Sequence, residues 1–259
     1  MKMETTERQK EILNFLIRDY LIDQEPVASK KIVQNYQCPY SPATVRLEMA
    51  ELEKNGFLYQ PHCSAGRIPT DRGYRYYVDN LVRDNSDFKK RRINRAEKEI
   101  INLLKTVSDN SSELFLRRLL LSISYLSRSL SLFFWDDGEE KRFNYSGLDV
   151  LLSVAEKQEL YEIQRIFRWL SKAEVNPDKF WQEVICCSDQ DQENGKNSLR
   201  IYIGEENPIE EIKNWTLMIL DYPFSDHQLW SLGIIGPKEM DYPKVIELMK
   251  TIQNTATQV

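Results

Sequence analysis

The chain has 259 residues, 41% of them hydrophobic and 29% charged, with a formal net charge of −5. That length holds two modest domains with separate cores, and the net acidity excludes a generally polycationic nucleic-acid binder. The charge is uneven, however: residues 1–84 carry 12 basic and 12 acidic side chains, residues 85–105 carry 7 and 3, and residues 106–259 carry 16 and 25. Contact with a polyanion therefore has to come from a few placed cations and not from a global field.

Met1–Thr6 leads straight into a charged amphipathic segment, so no secretory signal is expected. The most apolar run, Leu114–Trp135, is broken by Arg117, Arg118 and Arg128, which excludes an ordinary membrane span. Cys38, Cys63, Cys186 and Cys187 show no CxxC spacing, and reduced thiols in the cytoplasm are expected.

Thr6-Glu-Arg-Gln9 reads as a capping box opening a first helix. Leu13, Leu16, Ile17, Tyr20 and Leu21 fall on one of its faces, and Glu25-Pro26 stops it. Ser29 reads as the cap of a short second helix, Lys30–Tyr36, with Ile32, Val33 and Tyr36 inward. After a brief turn, Ser41 caps a third helix with Pro42 at its first position, where the missing N–H costs nothing, and Asn55-Gly56 ends it. Val45, Met49 and Leu52 form its apolar stripe. Ala43, Leu47, Ala50 and Lys54 lie opposite, flanked by Thr44 and Arg46. Small, uncharged or basic residues facing outward suit a helix lying in the DNA major groove.

Phe57–Gln60 and Arg67-Ile68 read as strands around a Ser64-Ala65-Gly66 turn, a wing with His62, Ser64 and Arg67 at its tip and shoulder. Gly66 would let the backbone approach phosphate, and Arg67 would sit on phosphates or reach into the minor groove. Thr70 caps a fourth helix running to about Arg83, with Tyr74, Tyr76, Tyr77 and Val78 packing the wing onto the helices. Arg72 and Arg75 add candidate phosphate contacts, beside the plainer reading of solvated helix charges. The candidate DNA-binding set is thus Ser41, Ala43, Thr44, Arg46, Leu47, Lys54, His62, Ser64, Gly66, Arg67, Arg72 and Arg75. The plain alternative is an ordinary hairpin after an ordinary amphipathic helix.

Pro26–Lys30, Ser41–Arg46, Glu48–Glu53, Gln60–Asp71 and Arg72–Asp79, with a second block at Ile201–Pro208 and Leu232–Tyr242, resemble the HrcA family of heat-inducible transcription repressors. The resemblance implies a cytoplasmic homodimer that binds double-stranded DNA at an inverted-repeat operator ahead of chaperone genes. It also implies a GAF-like C-terminal domain, an inserted dimerisation subdomain and a GroEL-type chaperonin as partner. No cofactor, metal or catalytic residue is implied. Leu47 departs from the family, which usually has asparagine there: asparagine pairs with adenine, whereas leucine makes only apolar contact, for instance with a thymine methyl. The plain alternative for Leu47 is packing on a neighbouring element.

Beyond a linker at Arg83–Arg92, helices are expected near Ile93–Val107 and Glu113–Arg128, then strands at Leu130–Trp135 and Arg142–Tyr145 around an Asp136–Glu140 turn. The chain passes almost directly from Trp135 to a Gly147–Leu151 helix region, so the family's dimerisation insert is expected to be missing. A helix at Lys157–Leu170 is expected to bury Leu160, Ile163, Ile166, Phe167 and Leu170. After a polar loop at Asp189–Asn197, Leu199–Ile203, Trp215–Asp221 and Gln228–Ile235 read as strands of one antiparallel sheet. Asp241–Asn254 closes the chain as a helix with Val245, Leu248, Met249 and Ile252 inward. The expected fold is α+β: a winged helix-turn-helix over 1–83, a linker and connecting helix over 84–110, and a reduced GAF-like domain over 111–259 with a curtailed central region.

The functional alternative is a GAF-type transcriptional regulator that senses a small molecule, with Trp215, Tyr222, Trp230 and Tyr242 as candidate ligand aromatics, although aromatics at strand spacing more often fill a core. His62-Cys63 and Cys186-Cys187 are poor metal or redox candidates, since each pair lacks nearby partners and His227 is far along the chain. No nucleophile–base pair, phosphate-cradling loop or carboxylate constellation stands out, so no enzyme is expected.

Overall fold

The computed structural model describes residues 6–83, 113–136, 141–154, 160–179, 199–225 and 228–256, together with Lys98, Ile100 and Asn102. The chain divides into two units, Met1–Asp87 and Phe88–Val259. It mixes α-helices with antiparallel sheet.

The first unit contains α1 (Glu7–Asp23), α2 (Ser29–Tyr36), α3 (Pro42–Lys54), β1 (Leu58–Tyr59), β2 (Ile68–Pro69) and α4 (Asp71–Arg83). The capping box is formed: Gln9 N–H donates to Thr6 Oγ1 at 3.2 Å, and Thr6 N–H donates to Gln9 Oε1 at 3.1 Å. Ile12, Leu13, Leu16 and Ile17 of α1 are buried with Ile32, Val45, Met49 and Leu52 of the next two helices. The expected Ser29 cap is corrected. Ala28 occupies the N-cap without a side-chain bond, because Val27 is held extended by Arg67, and Ser29 is drawn into the helix and buried.

A carboxylate lies inside this core. Asp19 is buried and accepts from Asn35 Nδ2 at 3.1 and 3.3 Å and from the Tyr36 hydroxyl at 3.0 Å, tying α1 to α2. Tyr36 also stacks on Phe15 with ring centroids 4.2 Å apart. Burial, reinforced by the hydrogen bond to the Asp19 carboxylate and its charge, pushes the Tyr36 phenol up to about 12.

α4 starts as expected: Gly73 N–H donates to Thr70 Oγ1 at 3.2 Å, and Thr70 Oγ1 donates to the Gly56 carbonyl at 2.6 Å. Tyr74, Tyr77 and Val78 are buried, while Tyr76 is half-buried edge-on to Phe57.

The second unit contains α5 (Glu113–Ser127), β3 (Leu130–Asp136), β4 (Lys141–Ser146), α6 (Leu148–Val154), α7 (Leu160–Val175), β5 (Leu199–Ile203), β6 (Trp215–Ser225), β7 (Gln228–Pro237) and α8 (Tyr242–Ala256), with 3₁₀ turns at Gly204–Glu206 and Glu210–Ile212. Its five strands form one antiparallel sheet in the order β4-β3-β7-β6-β5. Successive side chains point to opposite faces. On one face Leu130, Leu132 and Phe134 join Leu217, Ile219 and Ile235 in a core with Ile163, Ile166, Trp169 and Leu170 of α7. The other face carries Ser131, Thr216, Met218, Leu220 and Ile234. Tyr242 of α8 reaches this face through a 2.9 Å hydroxyl bond with Thr216.

The buried side of α7 is a correction. Leu160 and Phe167, expected inside, are 52% and 40% exposed, whereas Trp169 and Ala173 are buried. The expected inward residues of α8, Val245, Leu248, Met249 and Ile252, are all buried. Arg200 and Asp221 pair at 2.5 Å between neighbouring strands, and Ser231 Oγ donates to Asp221 at 2.6 Å. The expected Asp189–Asn197 loop, most of the Ile93–Val107 helix and residues 137–140 lie outside the described residues.

Candidate nucleic-acid interface

The sequence fixes both ends of α3. Thr44 N–H donates to Ser41 Oγ at 3.1 Å, with Pro42 at the first helical position. At the far end Gly56 adopts φ +76°, the left-handed geometry that glycine takes without strain. With Val45, Met49 and Leu52 buried, the outward direction is set: Ser41, Ala43, Arg46, Leu47, Ala50 and Lys54 are exposed, and Thr44 is half-buried. Leu47 is 70% exposed, so it is not a core residue.

Charge on this helix is sorted. Glu48 accepts from Arg8 Nη1 at 3.2 Å and Gln9 Nε2 at 3.0 Å on α1. Glu53 accepts from Arg67 Nε at 2.9 Å, and Glu51 lies 3.9 Å from Lys54. Arg46 has no hydrogen bond or ion pair among the described residues. Glu48 and Glu53 are thus drawn to internal partners, Glu51 stays exposed beside Lys54, and one guanidinium is without a partner among the described residues. Lys30, which the sequence pattern did not single out, is also exposed near the start of α2 and has no ion pair among the described residues.

The ribbon after α3 is short. His62, Cys63 and Ser64 are exposed at its tip. Ala65 N–H donates to the His62 carbonyl at 2.9 Å, and Gln60 Nε2 bridges the turn to the Cys63 and Ala65 carbonyls at 3.2 and 2.9 Å. The turn is therefore centred on Cys63-Ser64, one residue earlier than expected. Gly66 serves a different close approach: a Cβ there would lie 2.4–2.6 Å from backbone atoms of Val27 and Pro26. Val27 and Arg67 exchange backbone hydrogen bonds of 2.9 and 3.0 Å at that point.

The other predicted cations have internal tasks. The Arg67 side chain is 13% exposed and holds Glu53. Arg72 Nη1 donates to the Asn55 carbonyl at 3.0 Å and its guanidinium lies 4.7 Å from the centre of the Phe57 ring. Arg75 lies 3.4 Å from Asp79. Arg46, Lys54 and His62 are exposed, as is Arg72, whose guanidinium is engaged as described.

Elsewhere, Trp215, Trp230 and Tyr242 are buried, which makes them core residues; the Tyr222 side chain lies outside the described residues. A cleft of about 690 Å³ runs between the end of α7 and Pro208–Glu211, crossed by a Lys172–Glu211 pair at 3.3 Å. Cys38 is buried and Cys63 exposed, both free, while Cys186, Cys187 and His227 lie outside the described residues. Among the described residues no group of His, Cys, Asp or Glu could hold a metal ion, and no helix is long and apolar enough to cross a membrane.

An outward helix face bearing an arginine without a partner among the described residues, on a chain of mixed helix and antiparallel sheet, marks a candidate nucleic-acid binder with a second, sheet-built unit. A family model described as the HrcA protein C terminal domain matches residues 83–246. A heat-inducible transcription repressor HrcA from Natranaerobius thermophilus is 26% identical over 327 aligned positions, covering 96% of this chain and 95% of the relative. These positions outnumber the 259 residues here, so the relative carries residues without a counterpart in this chain. The HrcA of Thermosynechococcus vestitus is 36% identical over 245 residues, covering 95% of this chain and 60% of the relative. A crystal structure of a hypothetical protein shares the fold, with a TM-score of 0.75, 18% identity and 98% of both chains covered. The chain belongs to the HrcA family, a family of heat-inducible transcription repressors and not of enzymes.

Proposed function

We propose that this protein represses heat-shock (chaperone) genes by binding an inverted-repeat operator as a homodimer, and that warming releases it. In this reading residues 1–83 are a winged helix-turn-helix, with α2 and α3 as the helix pair and β1–β2 as the wing. α3 enters the major groove: Ser41, Ala43, Thr44 and Leu47 face base edges, Arg46 takes a guanine or a phosphate, and Lys54 takes the backbone. His62 and Ser64 at the ribbon tip follow the neighbouring backbone. Gly66, Arg67, Arg72 and Arg75 hold the ribbon and the start of α4 in place, and any phosphate contact they make is secondary. The observation that carries this reading is the outward face of α3, where Glu48 and Glu53 have internal partners and Arg46 has none among the described residues.

Residues 84–110 link this domain to a reduced GAF-like domain over 111–259, a reading supported by a five-stranded antiparallel sheet with helices. One α3 with few cations gives weak, salt-sensitive binding, so two copies on two half-sites are required for a tight complex. The reading includes a GroEL-type chaperonin as the partner that keeps the repressor active, and residence in the cytoplasm.

The test is fluorescence anisotropy of the full chain on an inverted-repeat chaperone operator, on a half-site and on a scrambled duplex, across a salt series. Tight binding to the repeat with a far weaker half-site is expected. Equal, weak binding to all three duplexes would overturn the reading.

A further inference from the structure

Resting on the DNA-binding reading above, we infer that Leu47 reads the 5-methyl group of a thymine in the major groove. Operator preference at one position in each half-site is then set by an apolar contact.

Leu47 is 70% exposed at the centre of the outward face of α3, opposite the buried Val45, Met49 and Leu52. Its neighbours on that face, one turn away on either side, are the exposed Ala43 and half-buried Thr44 before it and the exposed Ala50 and Glu51 after it. On its Ala43–Ala50 side the leucine stands above a low surface, open to contact with whatever approaches the helix. The occupant of this face is chosen by charge. Glu48 and Glu53 are held by Arg8, Gln9 and Arg67, Glu51 lies beside Lys54, and Arg46 is exposed without a partner among the described residues. That distribution favours a polyanion over an apolar protein surface.

Within the major groove the thymine methyl is the apolar group, while the other base-edge positions are donors or acceptors. A leucine pressed against those would strip water from them and return no hydrogen bond, an arrangement that selects against them. Against the methyl it gains burial at no polar cost. Leu47 thus acts twice, attracting thymine and rejecting pairs whose polar edges it would cover.

The test uses the full chain and the duplex that it selects from a random double-stranded library. Each thymine is replaced in turn by deoxyuridine, which removes only the methyl, and binding is read by anisotropy. At one thymine in each half-site, binding is expected to weaken about fourfold, the equivalent of ~0.8 kcal/mol, and roughly 15-fold when both half-sites are changed. In Leu47→Ala this sensitivity disappears at that position alone. Cytosine at the same position binds worse, and 5-methylcytosine recovers part of the loss. An unchanged unfolding midpoint in Leu47→Ala verifies that the exposed residue is not needed for folding. Uracil tolerated at every position by the wild type, or sensitivity that persists in Leu47→Ala, overturns the assignment while leaving sequence-specific binding intact. Selection that returns no preferred sequence overturns the DNA-reading function and this assignment with it.

Discussion

Gly66 sits where its missing side chain is measured in tenths of an ångström. A Cβ at that position would fall 2.4–2.6 Å from the Val27 and Pro26 backbone, and backbone cannot rotate away as a side-chain tip can. Gly66→Ala is expected to destabilise the first unit by about 1–3 kcal/mol, as overpacking does, measurable by urea unfolding. The two arginines on either side of the ribbon separate function from scaffold. Arg46→Ala should leave the unfolding midpoint in place and weaken operator binding; if it reads a base, the loss is about 1–3 kcal/mol at one position, and a uniform loss across sequences means a phosphate contact. Arg67→Ala, which leaves the half-buried Glu53 without its partner, should lower stability by about 1 kcal/mol. Measuring both variants by urea unfolding and anisotropy distinguishes these roles.

At the scale of elements, α1 and α2 are joined by a polar contact with a pH signature. Tyr36 is neutral in the folded protein, with its phenol raised from an ordinary 10 to about 12 by burial and by Asp19. A raised value means that the contribution is complete below pH 10 and is lost as the pH rises to about 12. Urea unfolding across that range should show the first unit weakening, and Tyr36→Phe should flatten that slope while remaining less stable at neutral pH.

The helices of this unit are legible in the sequence because their signals are local: Thr6 with Gln9, Ser41 before Pro42 and Thr70 before Gly73 all act within a single turn. What the sequence does not display is set by distant partners. Gly66 looks like a turn glycine, but its neighbours are Pro26 and Val27; Arg67 looks free for phosphate, but its partner is Glu53. α7 has apolar residues on more than one side. Its inner face is decided by Ile209, Ile212 and Trp215, which draw Trp169 inward and leave Phe167 partly exposed. The outward face of α3, by contrast, follows directly from its 3.6-residue period, and the structure exposes Ala43, Arg46 and Leu47 as that period requires.

For the whole molecule, the proposed heat release requires that operator binding fail before the first unit melts. On warming, anisotropy on the intact repeat should fall while the helical signal of Met1–Asp87, followed by hydrogen exchange of α1–α4 amides, is still protected. Simultaneous loss of both would count against this route to heat release.

The sheet of the second unit adds a consequence in time. Its strands β3 and β4 form one hairpin, β5 to β7 form a meander, and the two are joined by a single seam that pairs Leu130 with Ile235 and Asp136 with Leu229. Strand β3 supplies Leu130-Ser-Leu-Phe-Phe134, all buried, and one of its two edges has no partner until β7 has been synthesised. Pairing so remote in sequence is slow to form, and an uncovered apolar strand is prone to stick to others meanwhile. Each newly made chain therefore passes through an interval in which the helices before residue 84 can already be folded while the sheet is open. The length of that interval, and whatever shields β3 during it, governs how quickly a synthesised molecule becomes a complete one.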